Sequence, residues 1–341
     1  MKIVIFGPER RLGALVGDCV IDLNRGFAEY LQERGDRNPN EQALDRLPSD
    51  LKSFIEGGAI ALENAQRMID HFAGIGSDDG DELSEVVHSR SRVKLHAPWP
   101  ERRIACVGGN YAAHLLGMWA NRLGKTDIPV EEVAREAKKA GQWGFWKVLA
   151  EVAGPEDGIP FPKRVTYFDY EGEVAIVIGK RGKNIPADQV RHYVWGVTLF
   201  HDWSIRDGGG SDRVVSYNLQ KNFDGAASMG PCIVVAKLDP QNVDVETRIN
   251  GVVRQSYNTS EMIWSFGEVL EFLSRDFTFV PGDVIAGGTS AGTAADQSRR
   301  FEGIRPLDLF LKIGDVVEVS SPQIGALSNQ IVISESEEPA S

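Results

Sequence analysis

The feature that most constrains this chain is a change of texture at residue 101. From there, short runs rich in β-branched residues follow one another: RIACVG, EVAIVIG, YVWGVTLF, PCIVVA, ETRINGVVR, DVIAGG, DVVEVSS and NQIVIS. Val and Ile fit a pleated, half-buried surface, and runs this short are strands sooner than helices. Turn residues separate them, among them Pro281-Gly282-Asp283 and Gly314-Asp315; Pro presets φ there and Gly accepts conformations closed to other residues. Such a chain folds as sheets. Two stretches break the pattern. Residues 115–151 are polar and Lys/Glu-rich with helical spacing, and their length for a connection predicts a lid-like insertion. Trp119, Val130, Val133, Ala134 and Ala137 would form its packing face, and Gly141 and Gly144 its hinge. Residues 260–277 read as an amphipathic helix through Met262, Phe266, Val269, Leu270 and Leu273.

The first hundred residues read differently. KIVIF, a polar turn and LGALVGDCVIDL predict a hairpin over residues 1–23, with a further turn at Gly17-Asp18. Leu44, Leu47, Leu51 and Phe54 recur at helical spacing, with Pro48 starting a new helix between them. Ile60, Leu62, Ala65, Met68, Ile69 and Phe72 mark a later helix. SDDGDELSE at 77–85 is a solvated acidic turn, and Pro98-Trp99-Pro100 is unsuited to a helix. The expected organisation is an N-terminal α+β domain over residues 1–95 and a larger domain over 101–335. The fold class is α+β, mainly β.

With 341 residues, 42% of them apolar, the chain can bury a sizeable core. Its net charge of −12 makes it a poor partner for nucleic acid or an anionic membrane surface. MKIVIFGPERR lacks the basic start and apolar core of a signal peptide. No run approaches the roughly 20 apolar residues that span a bilayer. Cys19, Cys106 and Cys232 show no CxxC spacing, which fits a reducing compartment, and a cytoplasmic location is expected. Cys106 and Cys232 sit in apolar runs and read as small buried hydrophobes.

The chemistry concentrates at Tyr170-Glu171-Gly172-Glu173, which runs into VAIVIG. Alternation along a strand puts Glu171 and Glu173 on one face, with Val174, Ile176 and Ile178 on the other. Two carboxylates side by side repel unless a cation or proton lies between them. A second apolar strand, YVWGVTLF, ends abruptly in His201 and Asp202, followed by Arg206 and Asp207. Three carboxylates without Cys/His spacing suit a hard cation such as Mg²⁺, Mn²⁺ or Ca²⁺.

At these residues the chain resembles the fumarylacetoacetate hydrolase family. Gly108-Gly109-Asn110-Tyr111 with His114 is similar to its G-x-N-Y-x-x-H, and Phe145-Trp146-Lys147 to its F-x-K. Asp169 to Glu173 resembles its acidic metal strand, and Asp202, Ser204, Arg206 and Asp207 its D-x-S-x-R-D. Lys221 to Gly225 with Met229-Gly230-Pro231, Asn250-Gly251 with Arg254-Gln255, and Pro281-Gly282-Asp283 with Gly288-Thr289 follow in family order up to GDVVEVSSPQIGALSNQIV. The ordered set covers residues 101–333. The resemblance implies a mixed β-sandwich or β-roll catalytic domain in a homodimer. It implies Glu171, Glu173 and Asp202 as ligands of Mg²⁺ or Mn²⁺, with Ca²⁺ as an alternative, and a small anionic oxo-acid as substrate. His114 would be the general base, Lys147 would polarise a carbonyl, and Lys221 would hold the carboxylates or assist catalysis. Tyr111, Arg206, Gly288 and Thr289 would contact substrate.

The implied activity is hydrolysis of a carbon–carbon bond in an acylpyruvate-like acid. The alternatives are a decarboxylase, isomerase or hydratase of 2-oxo-enoic diacids on the same site, or a ligand-binding homologue with little turnover. The chain departs from the family pattern in two places. Gly117 stands where many members carry a glutamate beside the His, so Glu131, Glu132 or Glu136 would have to assist, or His114 would act alone. Gly208-Gly209-Gly210 replaces a stretch that often holds glutamine, which counts against fumarylacetoacetate itself as the substrate. Gly288-Thr289-Ser290-Ala291-Gly292 also matches G-x-S-x-G. In that hydrolase fold the histidine follows the serine, and every histidine here precedes Ser290.

Overall fold

The computed structural model of the chain describes residues 1–72, 85–123, 128–163, 165–207, 217–298 and 306–334. Most of the acidic stretch 77–85, the triple glycine 208–210 and the tail from 335 lie outside the described residues.

Residues 1–23 form a meander of β1 (Lys2–Phe6), β2 (Arg11–Val16) and β3 (Cys19–Asp22). Asp22 ends it. Its carboxylate accepts the Arg25 N–H as the cap of α1 (Leu23–Glu33) and pairs with Arg11. Next come α2 (Pro39–Arg46), α3 (Leu51–Glu56) and α4 (Gly58–Phe72). The leucine repeat expected across Pro48 holds only in part. Leu47, Leu51 and Phe54 are buried, but Leu44 is 58% exposed. The chain breaks between α2 and α3, where Asp50 caps a new helix, so the apolar stripe of one does not continue into the other. Ile60 is likewise 65% exposed, and Ala61, Ala65, Met68 and Phe72 form the buried face of α4.

After β4 (Val87–Ser89), β5 (Leu95–His96) and β6 (Ile104–Gly108) come α5 (Ala112–Leu123), α6 (Val130–Ala140) and β7 (Trp143–Lys147). The expected lid is therefore helical only as far as Ala140. Gly144, expected as a hinge, lies inside β7, which pairs antiparallel with β6. A Cβ there would come 2.7 Å from the Cys106 carbonyl oxygen, so close strand approach requires the glycine. In α6, Val133 and Ala137 are buried as expected, and Val130 is 42% exposed.

The remaining elements are β8 (Gly158–Phe161), β9 (Phe168–Asp169), β10 (Gly172–Ile178), β11 (Val194–Asp202), β12 (Ser204–Ile205), α7 (Tyr217–Lys221), β13 (Ala227–Val235), β14 (Asp244–Ile249), β15 (Val252–Asn258), α8 (Phe266–Leu273), β16 (Val284–Ala286), α9 (Ala294–Gln297), β17 (Val316–Ser321) and β18 (Gly325–Ile333). The amphipathic helix expected at 260–277 shortens to α8, because Ser265 and Glu268 form a capping box at its start.

The large sheet runs β4-β3-β2-β1-β13-β11-β10-β16-β6-β7, with β5 also on β1. The smaller runs β15-β14-β17-β18-β8. Both are mixed, since β16 pairs parallel with β6 and β18 parallel with β8. The large sheet crosses the boundary expected between residues 95 and 101, because β1 pairs with β13. That pairing satisfies the backbone groups that β1 would otherwise leave open at an edge. One face of β10 and β11, carrying Val174, Ile176, Val197 and Leu199, shares a buried cluster with Val245, Val319 and Leu327 of the smaller sheet. The other face packs on α1–α4 through Ala175, Val177, Trp195 and Phe200. The fold is mixed α and β, mainly β.

Candidate active site

The site grows from the N-terminal end of β10. Gly172 separates the two glutamates because the smaller sheet presses there: a Cβ would come 2.2 Å from Thr247 Oγ1. Alternation then turns Glu171 and Glu173 to the opposite face. β11 pairs antiparallel with β10, Phe200 opposite Glu173, and the Asp202 N–H donates to the Glu171 carbonyl at 3.0 Å. That register brings Asp202 beside the glutamates. All three are buried, and each offers an oxygen within 4.8 Å of the others.

Cations surround the trio. Lys221 Nζ donates to Glu171 at 2.6 Å, to Asp202 at 2.7 Å and to Ser204 Oγ at 2.6 Å. Arg206 donates to Asp169 at 2.9 Å and also to Glu171. Lys147 Nζ lies 2.7 Å from Asp202 Oδ1 and donates to the carbonyls of Lys221 and Ala226. Lys147 is therefore a buried strand residue that locks Asp202 and α7 in place. The carbonyl-polarising role expected for it has no support in this position.

The electrostatics of the two glutamates differ. Burial acts to raise Glu171, but Lys221 and Arg206 outweigh it and hold the carboxyl below its ordinary value. Burial pushes Glu173 well above the carboxylate range, and the charges of Asp202 and Glu171 push the same way. Its hydrogen bond from the Gly288 N–H, 2.9 Å, counters this only weakly. Glu173 is thus the oxygen donor for which a hard dication would remove the most repulsion. The donor set fits Mg²⁺, Mn²⁺ or Ca²⁺. Burial also pushes the neighbouring His201 down to about 3, so its ring, stacked on Trp203, stays neutral.

His114 stands on the first turn of α5, 8% exposed, and lines the same cavity. Its Nδ1 lies 2.8 Å from Asp296 Oδ2. A carboxylate oxygen accepts, so Nδ1 carries the proton and Nε2 presents its lone pair. The acid partner is not in the insertion as expected: Glu131, Glu132 and Glu136 are exposed. Asp296 takes that place from a different element, and Gly117 is what admits it, since a Cβ at 117 would come 2.7 Å from Asp296 Cβ. Asp296 is held as the third residue of a capping box with Thr293 at the start of α9. Asp169 accepts the next free N–H groups, from Ala294 at 2.8 Å and Ala295 at 3.1 Å. The same carboxylate thus fixes Arg206 and the helix that carries Asp296. Sequence reasoning placed Asp169 in the acidic strand without a role of its own and passed over Asp296. The T-x-x-D spacing from Thr293 to Asp296 was a helix-start signal that pointed to the latter.

The other expected contacts divide. Thr289 lines the cavity, donating to the Gly172 carbonyl and accepting from Gln255. Gly288 orients Glu173 through its N–H. Tyr111 does not line the cavity: it is 1% exposed and packs edge-on to Tyr257, ring centres 5.0 Å apart. Its neighbour Asn110 pins the loop by bonds to Trp264 and Gly287, which gives the N-Y pair a structural role. Ser290 is buried beside Gln255, and Cys106 and Cys232 are buried thiols.

The cavity measures about 710 Å³, with Glu171, Glu173, Asp202, Arg206 and Lys221 at one end. Two packed sheets with a carboxylate trio where β10 and β11 meet, facing a histidine–carboxylate pair, define the fumarylacetoacetate hydrolase fold. Residues 103–332 match the family described as Fumarylacetoacetate (FAA) hydrolase C-terminal, and the chain belongs to that family. It is 34% identical to the oxaloacetate tautomerase YisK of Bacillus subtilis over 293 residues, 84% of this chain and 88% of that one. Among solved structures it is similar to a fumarylacetoacetate hydrolase from Exiguobacterium antarcticum, with 27% identity, a TM-score of 0.69, and 98% and 100% of the two chains covered. It also resembles a 2-hydroxyhepta-2,4-diene-1,7-dioate isomerase from Mycobacterium marinum, with 29% identity, a TM-score of 0.57, and 73% and 82% covered. Among the described residues no helix is long and apolar enough to cross a membrane.

Proposed function

We propose that this chain is a metal-dependent enzyme that moves a proton between carbon and oxygen of a small 2-oxo acid, as a keto–enol tautomerase or isomerase. The observation that carries the reading is the His114–Asp296 pair facing the same cavity as the buried trio. Its likeness to an oxaloacetate tautomerase supports it. A dication held by Glu171, Glu173 and Asp202 would act as a Lewis acid for the 2-oxo and carboxylate oxygens. His114 Nε2 takes the proton from the carbon beside the carbonyl, and the electron pair moves onto the carbonyl oxygen. The imidazolium, stabilised by Asp296, returns the proton to that oxygen. Arg206 and Lys221 hold Glu171 and Asp202 in position.

Carbon–carbon hydrolysis of an acylpyruvate is the second reading. The likeness over the whole chain to a fumarylacetoacetate hydrolase favours it, because the same histidine can activate water instead. Ultraviolet absorbance separates the two. The Mg²⁺- or Mn²⁺-loaded protein should speed the decay of enol-oxaloacetate and leave acetylpyruvate uncleaved. Cleavage of acetylpyruvate at a comparable rate would replace the first reading by the second. Binding of oxo-acids without either reaction would make the chain a binding homologue.

Helix α5 lines the cavity through His114, Leu115, Met118 and Trp119, and closure of α5 and α6 over bound substrate is part of the same proposal. Amide exchange in 112–140 should slow when oxalate, an enolate mimic, is added to the Mg²⁺-loaded protein. Equal exchange in both states would make the helices a fixed wall. The homodimer implied by the family resemblance belongs to the proposal too, and sedimentation reads it directly.

A further inference from the structure

A second cavity, about 620 Å³, shares no described lining residue with the first. Arg102 and Arg103 line it just before β6, Arg181 in the connection after β10, and Trp99, Leu149 and Val280 give it apolar wall. The three guanidiniums are held differently. Arg103 is fixed: its Nε donates to Asp283 at 3.0 Å, and its Nη2 donates to Asp283 and, at 2.9 Å, to the Thr278 carbonyl. Its guanidinium carbon lies over the Phe277 ring, 4.7 Å from the centre. Asp283 is itself buried and accepts the Val280 N–H, so the Pro281-Gly282-Asp283 turn sets the arginine in place. Those bonds leave Nη1 of Arg103 uncommitted. Arg102 gives Nη2 to Glu56 at 3.1 Å, while its buried Nε has no partner. Arg181 has neither a hydrogen bond nor an ion pair among the described residues.

Like charges around one concavity repel, and Glu56, Asp283 and the lining acid Glu101 offset this only in part. A chain of net charge −12 has acids to spare for pairing, yet Arg181 is left without one. Planar guanidinium forks match the oxygens of a phosphate or carboxylate, and their donors here converge on one space. That space is larger than such a group needs, and its apolar wall suits a ligand with a body as well as a charge. Lys147 also lines it, but its Nζ is committed to Asp202 and to the carbonyls of Lys221 and Ala226.

We propose that this second cavity binds a small dianion, a phosphate ester or a dicarboxylate on an apolar body, with Arg102, Arg103 and Arg181 holding its oxygens. The site is separate from the 2-oxo acid chemistry and does not depend on it. The probes are phenyl phosphate and phthalate, each titrated calorimetrically into the Mg²⁺-loaded protein with excess oxalate blocking the first site. At least one should bind, and more weakly as salt is raised. Arg181→Ala and, independently, Arg102→Ala should each weaken binding by roughly 10-fold, as expected for losing one charge-assisted hydrogen-bonding partner. Arg181 supports no other described residue, so its variant should fold as the parent does. Lys183→Ala removes the same charge from a neighbour that pairs with Asp276 outside the cavity, and should leave the affinity within about twofold. Tighter binding of phenyl phosphate would identify a phosphate ester, and tighter binding of phthalate a dicarboxylate. Binding of neither probe, unchanged affinity in both arginine variants, or an equal loss in Lys183→Ala would overturn the inference.

Discussion

Alanine in place of His114 should lower turnover by roughly 10²–10⁴, the usual contribution of a positioned acid–base group. Metal affinity should stay near that of the parent, because His114 is held by Asp296 and not by the carboxylate trio. Asp296 acts through the histidine. Asp296→Asn should therefore cost about 10–100-fold, the range for partners that orient a functional imidazole. The double variant should be little worse than His114→Ala alone, since two groups that work as a unit are not additive. Initial rates together with metal titrations on the three variants measure this. Full turnover in His114→Ala would return the residue to a structural role. Additive losses in the double variant would mean that Asp296 has a task of its own, for example holding the start of α9.

Removing the dication should abolish activity and leave the chain folded. EDTA followed by Mg²⁺ or Mn²⁺ tests reversibility, and far-ultraviolet circular dichroism should not change across the cycle. The reason is that the trio is braced without metal: Lys221, Lys147 and Arg206 already pair with Glu171 and Asp202. Glu173→Ala should weaken metal binding most sharply relative to its effect on stability. Its carboxyl is the one that burial and its acidic neighbours raise. A raised carboxyl binds a proton that the metal must displace. Apparent metal affinity should consequently fall as pH drops, and calorimetry in buffers of different ionisation enthalpy should show proton release on binding. Activity in a verified metal-free sample would remove the dication from the mechanism, and pH-independent binding would show that Glu173 is not a ligand.

Much of the site was readable because strands impose a strict period. Glu171 and Glu173 had to share a face, and an apolar strand ending in Asp202 announced a buried charge. The β-rich runs after residue 101 all became strands for the same reason. The helical stretches were less legible. Leu44 and Ile60 fit an apolar period and are nonetheless exposed, because the buried faces of their helices are those of Ala43 in α2 and of Ala61, Ala65, Met68 and Phe72 in α4. Lys147, expected to polarise a carbonyl at the end of a helical insertion, is carried by β7 into the sheet, where its ammonium pairs with Asp202.

The amino-acid sequence by itself determined that the β-branched runs after residue 101 are strands, which carboxylates lie on one face, and that a hard cation suits them. These follow from local alternation and donor chemistry, which need no knowledge of distant residues. Only the tertiary structure decided the acid partner of His114. Asp296 lies far along the chain from it, and the space left by Gly117 together with the brace from Asp169 brings the two into contact. The tertiary structure alone also set Trp143 on the bare backbone of Gly108 and excluded Tyr111 from the cavity. Contacts of that kind are selected by which surfaces a folded chain brings together, and no local pattern encodes them.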